Sequence, residues 1–140
     1  MKQVITRTLL AGSGALLGVI GAAMLTKTAA FLAMSDVEID PDPGLLSELK
    51  APSVLLILAG TCMLVGSVRS RFADLGLAVG AVVYGSYGVA RIAGMVIDGL
   101  PTGSLLIATL IELVLAALLM ALRLSRPNAP QAGAQQPKAA

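Results

Sequence analysis

Apolar positions gather into four long stretches, roughly residues 4–25, 52–68, 75–97 and 105–122, separated by short polar segments. Each stretch approaches the about 17–25 residues that carry an α-helix across the hydrocarbon of a bilayer at about 1.5 Å per residue. The pattern predicts an all-α fold: a polytopic membrane four-helix bundle.

The polar segments refine this layout. Pro41-Asp42-Pro43-Gly44 is a turn signal. Leu45, Leu46 and Leu49 follow at helical spacing, so a short interfacial helix is expected within an outer loop at 35–51. Pro52 suits the first turn of the second span, where its missing N–H costs nothing. Arg69–Asp74 and Asp98–Ser104 are short connections, which makes spans two, three and four antiparallel neighbours in order. Residues 1–126 then form one transmembrane domain. Pro127, Pro130 and Pro137, set among Ala, Gln and Gly, mark 127–140 as a disordered tail. Gly21-Ala22-Ala23 has the small residues of a signal-peptidase site. The apolar run is too long for a signal core, though, and resumes at Ala29–Met34, so a retained first helix with an interfacial end is expected.

Composition agrees with a lipid solvent. Hydrophobic residues make up 56% of the 140 and charged residues 13%, about half the charge of an ordinary soluble domain. Lys2, Arg7, Arg69, Arg71, Arg123, Arg126 and Lys138 fall on one side of a four-span layout. Only Lys27 and Lys50 fall on the other, beside Asp36, Glu38, Asp40, Asp42 and Glu48. By the positive-inside rule both termini are cytoplasmic, and a bacterial inner-membrane location is expected. No run of Lys and Arg forms a patch, so nucleic acid is not an expected partner. The single cysteine, Cys62, has no histidine beside it anywhere in the chain. It reads as a packing residue, with no metal site, redox pair or cofactor implied.

Helices in lipid associate through close backbone approach and hydrogen bonds. Gly14-x-x-x-Gly18 in the first span and Gly76-x-x-x-Gly80 in the third supply small faces, either for packing within the bundle or for a second copy. Tyr84 and Tyr87 lie mid-span, and their hydroxyls need partners inside the bundle.

Arg91 and Glu112 are ionisable residues within predicted spans, a placement that usually marks a paired, inward-facing group. Arg91 lies seven residues before Asp98, and Glu112 seven after Leu105. Both are therefore about 10 Å from the same end of adjoining antiparallel helices. An ion pair across the third and fourth spans follows, with Tyr87 one turn before the arginine and Asp98 able to share it through water. Such a pair either fixes helix register or forms an anion, headgroup or proton-coupled site.

Arg91, the turn Asp98-Gly99-Leu100-Pro101 and Glu112 resemble small bacterial four-helix membrane proteins grouped as a domain of unknown function, number 4345. The resemblance covers roughly residues 5–125. It implies four helices and transfers no activity. In size the chain is also similar, more weakly, to DoxX-like membrane proteins. Without histidine, metal cluster or phosphate-cradling turn, an enzyme is not expected. The reading is a structural, accessory or lipid-binding module, whose partners are the bilayer and a homo-oligomer or larger membrane complex. A small proton-coupled or anion-handling transporter, acting as an oligomer, is the alternative.

Overall fold

The computed structural model describes residues 1–40 and 42–126. The predicted tail at 127–140 lies outside the described residues. Five α-helices and one 3-10 turn account for the fold, with no strand among the described residues. Helix α1 spans Lys2–Thr26 and α2 Thr28–Ala33. Helix α3 spans Pro43–Val68, α4 Ala73–Asp98 and α5 Gly103–Leu124. Four of them, all but α2, are long and apolar enough to cross a membrane.

Helix α1 breaks at Lys27, whose backbone (φ −136°, ψ 49°) leaves the helical region. Helix α2 adds less than two turns and ends with Asp36 left-handed at φ 57°. Its last carbonyls are satisfied by Asp36 N–H to Ala33 O and Val37 N–H to Leu32 O. This is the paired closure usually completed by glycine, a role the short polar Asp side chain tolerates.

The second long helix starts nine residues before the position expected from Pro52. Asp42 caps it, its carboxylate accepting from Gly44 N–H at 3.0 Å and Leu45 N–H at 2.9 Å. Those two bonds hold the Asp42 carboxyl below its ordinary value of 3.8. Pro43 takes the first helical position, where its lost donor is harmless. Leu45, Leu46 and Leu49 therefore belong to α3 itself, and Pro52 sits inside the helix. There it removes one hydrogen bond, to the Glu48 carbonyl. At 26 residues α3 is about 39 Å long, beyond the about 30 Å of hydrocarbon, so its first turns overhang.

A 3-10 turn, Ser70–Phe72, joins α3 to α4. Gly99, at φ 99° and ψ 178°, occupies a region essentially reserved for glycine and reverses the chain into α5. In space, α1 packs along α3, α3 against α4 and α4 against α5, while α1 and α5 barely touch.

The core runs along a seam of Leu10, Leu17, Leu56, Met63, Leu77, Tyr84 and Leu119. On α3, Ser53, Gly60 and Ser67 recur every seventh residue and are buried. Gly14, Gly21 and Gly60 bring α1 and α3 into backbone contact. A Cβ on Gly60 would lie 2.5 Å from Gly14 O and 2.8 Å from Gly18 N. Gly76 and Gly80 receive Leu10, Met63 and Leu119 in the same way. The four glycines singled out by spacing thus all lie at contacts between helices of this chain. Gly18 differs in detail: its backbone is touched, yet its own Cβ position faces open space. The outward faces are mostly apolar, with Leu55, Leu58, Val82, Ile97 and Leu110 more than half exposed. Lipid covers such a surface at no hydrophobic cost.

Candidate functional site

Arg91 continues the buried seam of α4, one heptad beyond Tyr84 and two beyond Leu77. Glu112 stands on the matching seam of α5, one heptad before Leu119. The contacts Gly80–Leu119, Gly85–Ala116 and Gly88–Leu113 step in opposite directions along the two helices. That antiparallel register delivers Arg91 opposite Glu112. Gly88 makes the approach close, since a Cβ there would lie 2.6 Å from Leu113 Cδ2.

The two side chains meet. Arg91 Nε–H lies 3.0 Å from Glu112 Oε2 and 3.2 Å from Oε1. The carboxylate is mostly enclosed, with its side chain 15% exposed, whereas the arginine is 32% exposed. The fork of Arg91 beyond Nε makes no hydrogen bond among the described residues, so its terminal donors remain available. The pair is electrically neutral as a unit.

An apolar cavity of about 390 Å³ opens beside it, between α1, α2, α4 and α5. Leu16, Leu17, Ile20 and Met24 of α1 form one wall, and Leu105, Ala108 and Ile111 of α5 another. Phe31, Leu32, Ser35 and Val37 roof it, and Tyr87, Arg91 and Glu112 supply its polar spot. Thr102 Oγ1 donates to Ser35 O at 3.1 Å and ties that roof to the start of α5. A shallower groove of about 630 Å³ between α1 and α5 shares Leu16 and Ile111 with the cavity.

Tyr87 lines this cavity as part of the cluster. Tyr84 is buried deeper and donates to Ser13 O at 2.7 Å, joining α4 to α1. Asp98 is exposed and makes no bond to Arg91; the two border a separate pocket of about 220 Å³. The sharing expected of Asp98 is through water, and no direct contact joins the two. The reason is distance along α4: Asp98 ends the helix, whereas Arg91 turns toward Glu112. Cys62 is a half-buried free thiol, and no cluster of metal-ligating side chains occurs among the described residues.

Sequence reasoning missed the roof from α2 and the partner glycine Gly60. The latter had a visible signal in the seven-residue spacing of Ser53, Gly60 and Ser67. The roof had none, because its position depends on the break at Lys27.

A four-helix membrane-spanning bundle with a charge pair at the edge of an internal apolar cavity is the class of protein these observations define. The chain belongs to the family described as a domain of unknown function (DUF4345), which it matches over residues 5–123. That span takes in nearly all of the four long helices, the charge pair and the Asp-Gly-x-Pro turn. No curated protein and no solved structure gives a match.

Proposed function

We propose that this protein is an accessory module of the membrane that holds one lipid-like molecule in the cavity beside Arg91. The observation that carries this reading is the combination of an apolar chamber with a single polar spot. A volume of about 390 Å³ falls within the about 300–1,000 Å³ of small-molecule sites, which characteristically pair apolar walls with few oriented polar groups. Because Glu112 neutralises Arg91, the spot favours a neutral head that accepts hydrogen bonds, such as a carbonyl or hydroxyl. The Arg91 fork and the Tyr87 hydroxyl are its donors.

A proton-coupled carrier needs a carboxyl free to lose and regain its proton. Here one guanidinium nitrogen faces both oxygens of Glu112, which favours the accessory reading. We assign no catalysis, since the chain has no histidine and its membrane-embedded acid is engaged by arginine. The crowding of Lys and Arg at one end of the helices supports an inner-membrane orientation with both termini cytoplasmic.

The test is native mass spectrometry of the full chain purified in mild detergent. Wild type should retain one lipid-like molecule per protomer. Ala108→Phe narrows the cavity while keeping both members of the charge pair, and should lose that molecule. Equal retention by both, or none by wild type, refutes the reading.

A further inference from the structure

At the end of the bundle remote from Arg91, the start of α1, the α3–α4 turn and the end of α5 enclose a pocket of about 220 Å³. Lys2 and Arg7 reach it from the first turns of α1, and Arg126 from just beyond α5. No run in the sequence announces this cluster; folding assembles it from both ends of the chain. No acidic side chain lines the pocket among the described residues. Asp74, at the same end, lies 3.5 Å from Arg123 instead. Three cations thus share one concavity without a counter-charge.

Arg126 Nη1 is buried and has no hydrogen-bond partner among the described residues. A buried donor without a partner is costly. No nearby hydroxyl accepts from Arg126 Nη1 among the described residues. Thr6 and Ser125 direct their own protons to the carbonyls of Lys2 and Leu122. The pocket therefore presents positive charge and N–H donors and calls for an anion with several acceptor oxygens. A tetrahedral phosphate suits a guanidinium fork and an ammonium together. Basic pockets between helix ends on the cytoplasmic side are also where phosphate-bearing headgroups bind.

We propose that the Lys2–Arg7–Arg126 pocket is a receptor for an anionic phosphate, carried by a lipid headgroup or free in solution. The site is separate from the Arg91 cavity, so either can fail without the other.

The experiment compares the full chain in nanodiscs of phosphatidylcholine alone, with added phosphatidylglycerol, and with added inorganic phosphate. Thermal unfolding and native mass spectrometry are the readouts. A midpoint raised by phosphatidylglycerol alone assigns the headgroup as source, and one raised equally by inorganic phosphate assigns the free anion. In either case Arg7→Gln and Arg126→Gln should each weaken binding about tenfold or more, as expected for losing a hydrogen bond to a charged group. Arg71→Gln, at the same end but outside the pocket, should leave binding unchanged. Should Arg126→Gln not fold, the exposed Arg7 provides the decisive variant. No response to either phosphate source, or equal loss in Arg71→Gln, overturns the proposal.

Discussion

Adding one methyl group at Gly60 should separate α1 from α3. Its Cβ would lie 2.5 Å from Gly14 O, 2.8 Å from Gly18 N and 3.3 Å from Gly18 Cα. The shortest of these is about 1 Å inside the 3.4 Å at which ordinary contact begins. All three obstacles are backbone atoms of a helix, so no rotamer change relieves them. Overpacking of a tight core costs about 1–3 kcal/mol. Replacing glycine by alanine within a helix returns about 0.5–1 kcal/mol. Gly60→Ala should therefore destabilise by up to about 2.5 kcal/mol. Gly18→Ala, with nothing within 4 Å of its Cβ, should be neutral or stabilise by about 0.5–1 kcal/mol. Reversible unfolding in mixed micelles by rising dodecyl sulfate, followed by circular dichroism, measures both. If Gly18→Ala is the more damaging variant, the packing argument fails. The Gly14-x-x-x-Gly18 face would then serve a second copy.

Glu112→Gln should lower stability in the same assay by about 1.5–3 kcal/mol, the range for a hydrogen bond to a charged group, while Glu38→Gln in the exposed loop should change it little. Equal effects would count against the pair. Tyr84→Phe removes the bond to Ser13 O and should cost about 0.6 kcal/mol, the average for hydrogen bonds between membrane helices; a neutral result by dodecyl sulfate titration would show that the bond contributes nothing. Asp42→Ala should shorten α3 at its start, lowering helical circular dichroism. The Asp42 carboxyl is held below 3.8 by backbone donors, so its contribution is complete above that pH and fades as pH falls through the lowered value. Wild type should thus lose stability on acidification below about pH 4, and Asp42→Ala should lack that part of the loss.

The number of long helices and their order were legible because lipid leaves few alternatives: every backbone donor must be satisfied within its own helix. The Arg91–Glu112 contact was legible for a related reason. Charges at bilayer depth require partners, and counting back from the Asp98–Leu105 turn placed the two at one level. Pro52 misled the boundary because a proline's preference for a helix start was weighed alone. The better start lay at Asp42-Pro43-Gly44, with its carboxylate cap, and a 26-residue helix tolerates one missing bond. Side-chain direction was also beyond reach. Spacing placed Asp98 on the same helix as Arg91 but could not say which carboxylate the guanidinium would bond directly. The Lys2–Arg7–Arg126 pocket joins the two ends of the chain, and only tertiary structure places them together.

The sparse contact between α1 and α5 has a consequence for how any guest arrives. Since the α1–α5 groove adjoins the cavity sideways, the proposed lipid-like guest would reach it by two-dimensional diffusion among the acyl chains, without crossing an aqueous phase. Occupancy is then governed by the guest's mole fraction in the bilayer, and neighbouring lipids act as competitors for the same opening. Diluting the surrounding amphiphile at a fixed protein-to-guest ratio would raise saturation, whereas changing the buffer volume would leave it untouched.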